Sequence, residues 1–108
     1  MLMQLSPSDA ARHLAAGHAT LIDVREPPEF AARHIPGSLS RPLSLPDDTA
    51  LPGPPDSDII FTCLSGRRTA ANHDRLAALL GSRRGFILAG GVDAWGLAGQ
   101  PLSHPHAG

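Results

Sequence analysis

Short β-branched runs alternate along this chain with segments that carry helix signals, and that alternation limits the fold more than any other feature. Ala19-Thr20-Leu21-Ile22-Asp23-Val24, Asp58-Ile59-Ile60-Phe61-Thr62 and Phe86-Ile87-Leu88 read as strands, the second as a buried one. Met3-Gln4-Leu5 and Ser38-Leu39-Ser40-Arg41 read as shorter edge strands. Between them, Ser6 is placed to cap a helix whose first residue is Pro7, with Ala10, Ala11, Leu14 and Ala15 as its apolar stripe and Gly17 as its end. Pro27 and Pro28 can open a second helix but not continue one, and it stops before the turn signal His34-Ile35-Pro36-Gly37. A longer helix is predicted from Thr69 to about Leu80, ending near Gly81-Ser82, and a last one over Val92–Ala98. Residues 42–57 are rich in proline and read as a surface connection, with one helical turn near Leu45 to Asp48. Strands alternating with helices imply an α/β fold: a small parallel-stranded sheet flanked by helices on both faces. The length of 108 residues suffices for one core, expected over residues 1–100 with a tail over 101–108.

In such sheets, ligands bind beyond the carboxyl ends of the strands. The sole cysteine, Cys63, falls there, in Cys63-Leu64-Ser65-Gly66-Arg67-Arg68-Thr69, between the central strand and the helix after it. Taken alone, a cysteine ending an apolar strand is more often a small buried hydrophobe than a catalyst. A glycine, two arginines and two hydroxyl residues behind it make poor core and a good anion cradle. Loop amides converging on one spot, deepened by guanidinium charge, favour thiolate over thiol, and the thiolate is the nucleophile. Cys63 is therefore the candidate nucleophile, and Leu64, Ser65, Gly66, Arg67, Arg68 and Thr69 form the candidate substrate loop. Arg68 is expected to close the loop by bonding carbonyls or a carboxylate and Arg67 to face solvent and draw in an anion, with the reversed assignment open. Ser65 and Thr69 are placed either to donate to the sulfur or to cap the helix. Asp23, Arg25 and Glu26 are expected to brace the strand ends by salt bridge, with Arg25 the nearest of them to a substrate. Trp95 reads as core packing and Gly90-Gly91 as a turn.

Other chemistries find little support. The net charge of −1 argues against a general affinity for nucleic acid or acidic membranes. No apolar stretch approaches ~20 residues, and Met1–Leu5 lacks the pattern of a signal peptide. One cysteine excludes an internal disulfide, and a reduced thiol suits a cytoplasmic location. His13, His18, His34, His73, His104 and His106 show no compact ligand spacing, so neither a metal nor another cofactor is expected; His104 and His106 read as solvated tail residues. By helical spacing, Ala70, His73, Ala77 and Leu80 would share a face, which makes His73 a partly buried, hydrogen-bonded histidine.

Four pieces in order resemble the rhodanese-like domain family: Leu21-Ile22-Asp23-Val24-Arg25-Glu26, His34-Ile35-Pro36-Gly37, the loop Cys63–Thr69, and Gly90-Gly91-Val92-Asp93-Ala94-Trp95. The resemblance implies a sulfurtransferase that carries sulfur as a persulfide on Cys63. Sulfur would pass from a small-molecule donor such as thiosulfate to a thiophilic acceptor such as cyanide or another thiol. The six residues from Cys63 to Arg68 match the loop length of the family's sulfur-transferring members, whereas the related phosphatases use a loop one residue longer. In that count the arginine would fall on Thr69, so phosphatase is the lesser reading. A non-catalytic binding or regulatory module of the same family is the alternative. Two departures stand out: Arg33 occupies a position where the family often has glycine, and Leu64 one where its sulfurtransferases often have a basic residue.

Overall fold

The computed structural model describes residues 2–104. Five parallel strands form one sheet, β1 (Met3–Leu5), β2 (Ala19–Asp23), β3 (Leu39–Ser40), β4 (Asp58–Thr62) and β5 (Gly85–Leu88), in the spatial order β1-β5-β4-β2-β3. Five helices cover it: α1 (Pro7–Ala15), α2 (Pro27–Ala32), α3 (Arg67–Ala71), α4 (His73–Leu79) and α5 (Gly91–Leu97). The expected α/β class, with a parallel sheet between helical layers, holds. Among the described residues, no helix is long and apolar enough to cross a membrane.

Successive strand residues point to opposite faces, and two cores follow from that alternation. Ile22, Ile59, Phe61 and Ile87 pack with Leu76 and Leu80 on one face, where Leu43 and Leu51 of the long connection also settle. Leu21, Ile60, Phe86 and Leu88 pack on the other face against Ala10 of α1 and against Val92 and Trp95 of α5. Parallel strands need such double cover, which is why β4 reads as an unbroken apolar run.

Helix α1 begins as its sequence predicts: the Ser6 hydroxyl accepts the Asp9 amide at 3.1 Å, and Gly17 follows the helix with φ at 82°. Helix α2 starts with its two prolines and a capping box in which Glu26 and Glu29 satisfy each other's amides.

The single helix expected over Thr69–Leu80 is two. Helix α3 starts earlier, at Arg67, and the break falls at Asn72, whose φ and ψ are −113° and 22°. Its side-chain amide donates to the Arg68 carbonyl at 2.8 Å, and a side chain that competes for backbone groups favours a helix end over a helix interior. His73 is partly buried and hydrogen-bonded, as expected of it, at the start of α4 and not in the core. It is half-exposed beside Asp74, Nδ1 to Oδ1 3.1 Å, while Leu76 and Leu80 carry the burial.

The connection from 42 to 57 has hydrogen-bonded turns and no helical one at Leu45 to Asp48. Two arginines organise it. Arg41, 2% exposed, donates to the carbonyls of Pro42, Pro46 and Thr49, and Arg75 of α4 donates to those of Leu43 and Leu45 and pairs with Asp47. Local amides pair some of these carbonyls, Leu45 to Pro42 at 3.1 Å and Thr49 to Pro46 at 2.9 Å, and the two guanidiniums, each with several donors, tie the turns together.

The described part of the expected tail lies against the body. His34 and Ser103 exchange two backbone hydrogen bonds, and the Trp95 indole donates to the Pro101 carbonyl at 2.8 Å. His104 is exposed; His106 lies outside the described residues.

Leu76 is fully buried and anchors α4 to the face of the sheet that also holds Cys63. Leu76→Ala is expected to cost roughly 2–5 kcal/mol in urea unfolding, the range for a large-to-small change at a site that cannot collapse.

Candidate active site

Cys63 follows directly on β4, and its thiol sits at the base of a loop closed by α3. Two carbonyls fix the start of that loop. The Cys63 carbonyl accepts the Val92 amide at 2.9 Å, and the Leu64 carbonyl accepts the Asp93 amide at 2.9 Å, both from the first turn of α5. Gly90 and Gly91, at φ of 73° and 63°, turn the chain from β5 so that this helix end meets the loop. A Cβ on Gly91 would press into both of those carbonyl oxygens. The pair is thus more than the ordinary turn its sequence suggests: it is where one backbone must touch another.

With its carbonyls drawn outward, the loop presents amides inward. Gly66, at φ 90°, turns the chain and donates its N–H to Cys63 Sγ at 3.1 Å. The Thr69 hydroxyl lies 3.7 Å from the sulfur and 3.0 Å from the Gly66 carbonyl, so its one proton is within reach of either acceptor across the width of the loop. Cys63 is 1% exposed, and burial alone pushes its pKa up. The amide and hydroxyl of Thr69 and the amides of Gly66 and Arg68 pull the other way and win, so the thiol titrates below the ordinary cysteine value. Helix α3 has five residues, too short for a macrodipole argument, and the loop's hydrogen bonds lead the stabilisation, ahead of the guanidinium charge expected to deepen it.

The two loop arginines separate cleanly. Arg68 makes a two-pronged pair with Glu29 of α2, at 2.8 and 2.7 Å. The pairing raises the pKa of Arg68, and the Arg68 hydrogen bonds hold Glu29 below the usual carboxylate range. Arg67 is exposed and makes no ion pair among the described residues. Ser65 is exposed, and Leu64, the residue after the cysteine, is half-buried. Glu29 is the site residue that sequence reading missed. The signal was topological: β2 and β4 are neighbours, so the helix after β2 and the loop after β4 start side by side.

Asp23 and Arg25 brace the floor. Their carboxylate and guanidinium are buried together, with Arg25 Nη2 at 2.7 Å from Asp23 Oδ2 and at 2.6 Å from the Arg33 carbonyl. Arg25, 2% exposed, ties the end of β2 to the end of α2. Glu26 caps α2 and accepts the Ser44 hydroxyl at 2.7 Å. Arg33 has φ −167°, extended backbone open to any residue, so replacing glycine there carries no strain; its side chain reaches Asp93 at 3.1 Å. No group of three or more His, Cys, Asp or Glu side chains among the described residues could hold a metal.

A doubly covered parallel sheet whose central strand delivers a cysteine into a loop of inward-facing amides defines a cysteine-loop α/β domain. The model of the rhodanese-like domain matches residues 6–98, and the chain belongs to that family. A sulfurtransferase of Allochromatium vinosum is 34% identical over 87 residues, 79% of this chain and 78% of the relative. An HTH-type transcriptional regulator of Mycobacterium tuberculosis is 33% identical over 103 residues, and the match covers 90% of this chain and 46% of the regulator. The crystal structure of a rhodanese-related protein from Thermoplasma volcanium superposes with a TM-score of 0.71 at 24% identity, over 94% of this chain and 97% of that one.

Two substitutions probe the ring. Thr69→Val keeps the shape and removes the hydroxyl, so the thiolate titration followed by ultraviolet absorbance is expected to move to higher pH than in the wild type. Gly91→Ala forces a positive φ on a side chain and drives a methyl into the loop carbonyls. A loss of roughly 3 kcal/mol in unfolding is expected from backbone strain and overpacking together.

Proposed function

We propose that this chain is a sulfurtransferase in which Cys63 carries the transferred sulfur as a persulfide. One observation carries the reading: the thiol is buried, yet faces N–H donors that lower its pKa instead of an apolar wall that would raise it. A merely structural cysteine needs no such donors. The Cys63 thiolate attacks the outer sulfur of a sulfane donor, the donor's S–S bond breaks, and its remainder leaves as an anion. Cys63–S–S⁻ remains, its negative charge held by the loop amides much as an oxyanion hole holds oxygen. A thiophilic acceptor, cyanide or a thiol, then takes the outer sulfur and restores the thiolate. Two half-reactions on one enzyme group predict ping-pong kinetics. No general base is required, because the lowered pKa of Cys63 favours the thiolate and because thiolates and sulfite leave readily.

The family membership and the sulfurtransferase of Allochromatium vinosum support this reading. The alternative is a rhodanese-like binding or regulatory module without turnover. What favours it is Leu64 at the loop mouth, together with the match to part of a longer transcriptional regulator. The reduced protein, incubated with thiosulfate or with cysteine persulfide, is expected to gain one sulfur atom on Cys63 by intact and peptide mass spectrometry. Cys63→Ser is expected to gain none. Folded, reduced protein that stays unchanged in mass with both donors is a binding module and not this enzyme. In the wild type, the rate of sulfur loading is expected to rise with pH through the titration of Cys63 and level off above it. The midpoint falls below that of free cysteine because the folded-state pKa is depressed.

A further inference from the structure

A groove of about 540 Å³ runs between the long connection and the end of α4, with residues 47–51, Gly53 and Pro55 on one side and residues 78–83 on the other. The turn after α4 leads into the start of β5, so the groove lies apart from Cys63, which follows the end of β4. Both walls are held from behind. Arg41, 2% exposed, donates to the Pro46 and Thr49 carbonyls, and Arg75 pairs with Asp47 and donates to the Leu45 carbonyl. Across the groove, Gly81 turns the chain at φ 61°, and the Arg83 amide and Nε both donate to the Leu80 carbonyl, at 3.1 and 3.3 Å. Leu51 and Leu79, packed on the core behind, give the groove an apolar floor. Its size, apolar floor and few polar groups are those of a small-molecule site.

The charges that line it define what it takes. Asp47 is occupied by Arg75, but Asp48 on one wall and Arg83 on the other form no ion pair, with each other or with any other group, among the described residues. The bond from Arg83 Nε to Leu80 leaves the two terminal nitrogens of the guanidinium, the prongs that suit a carboxylate. Thr49 and Ser82 add a hydroxyl to each wall. A simple anion drawn to Arg83 would meet Asp48, and a simple cation drawn to Asp48 would meet Arg83. A molecule that carries both charges satisfies both walls at once.

We propose that this groove binds a free α-amino acid with an aliphatic side chain. Arg83 receives the carboxylate, Asp48 the ammonium, and the side chain lies over Leu51 and Leu79. Both charged contacts stay open to water and are screened by it, so the dissociation constant is modest, on the order of 1 mM. No residue of the cysteine loop takes part, and the site stands or falls independently of the chemistry proposed for Cys63.

Titration of the full chain with L-leucine, followed by amide chemical shifts, is expected to give saturable changes confined to residues 48–51 and 79–83. Isopentylamine, which lacks the carboxylate, and 4-methylpentanoate, which lacks the ammonium, are each expected to bind several-fold more weakly. Glycine keeps both charges but has no side chain to lay on the floor, and is expected to bind roughly tenfold more weakly. Asp48→Asn is expected to weaken L-leucine and leave 4-methylpentanoate unaffected, and Arg83→Gln to weaken L-leucine and leave isopentylamine unaffected. Shifts elsewhere in the spectrum report that each variant keeps its fold. Absence of saturable shifts well above the expected dissociation constant overturns the proposal, as do shifts centred on another part of the chain. A singly charged analogue that binds as tightly as L-leucine, or a pair of variants that bind it unchanged, overturns the assignment of Asp48 and Arg83 as its partners.

Discussion

Two backbone hydrogen bonds, from the Val92 and Asp93 amides to the Cys63 and Leu64 carbonyls, are the constraint on which the site depends. A peptide unit that points its carbonyl one way points its N–H the other. Drawing the first two carbonyls toward α5 clears oxygen from the inside of the loop and leaves room for nitrogen to face the sulfur. The last strand and the last helix are therefore as much part of the site as the cysteine. They reach it because β5 lies beside β4 in the sheet and ends at the same edge. Gly90 and Gly91 let the chain turn there with no Cβ between the helix end and the loop.

The opposite side of the loop is held by side chains. Arg68 joins α3 to α2 through Glu29, and Arg25 joins α2 to the end of β2 through Asp23 and the Arg33 carbonyl. These two pairs differ in what they contribute. Asp23 and Arg25 are removed from water almost entirely, so their mutual satisfaction offsets a large desolvation cost, and losing either partner would strand the other. Glu29 and Arg68 are about a third exposed, and solvent reduces what their pair adds to stability. Their fork still fixes the orientation of a guanidinium at the rim, which a single flexible contact would not. Bracing at the floor and orientation at the rim follow from burial alone.

Much of this was legible beforehand, and the parts that were not share a cause. The strand positions, the caps of α1, the double helical cover and the place of Cys63 at a strand end all follow from local pattern and period. What escaped depends on partners distant in the chain. Glu29 meets Arg68 thirty-nine residues away, and Gly91 meets Cys63 and Leu64 across a strand crossover. The break at Asn72 escaped for a different reason: the alanine- and leucine-rich composition of 69–80 suits a helix throughout, and one asparagine side chain bonding to the backbone outweighed it. The connection after β3 read as irregular because of its prolines. Its order comes from Arg41 and Arg75, whose role cannot be seen until the carbonyls they satisfy are brought around them.

Burial of the thiol and its ionisation look opposed, since desolvation disfavours an anion, and the loop resolves the conflict by geometry. Water would stabilise a thiolate with mobile dipoles that must reorganise whenever charge moves between sulfurs. The amides of Gly66, Arg68 and Thr69 belong to a backbone already fixed by α5 and by the Thr69 hydroxyl, so their orientation costs nothing at the moment of reaction. A fixed cradle of this kind favours negative charge on whatever sulfur occupies it, which in the proposed transfer is first the thiolate and then the persulfide one bond longer. There the bond between sulfurs would change while the field around them stays in place. That is the electrostatic requirement of the proposed reaction, in which one group would be a nucleophile in one half-reaction and a sulfur donor in the next.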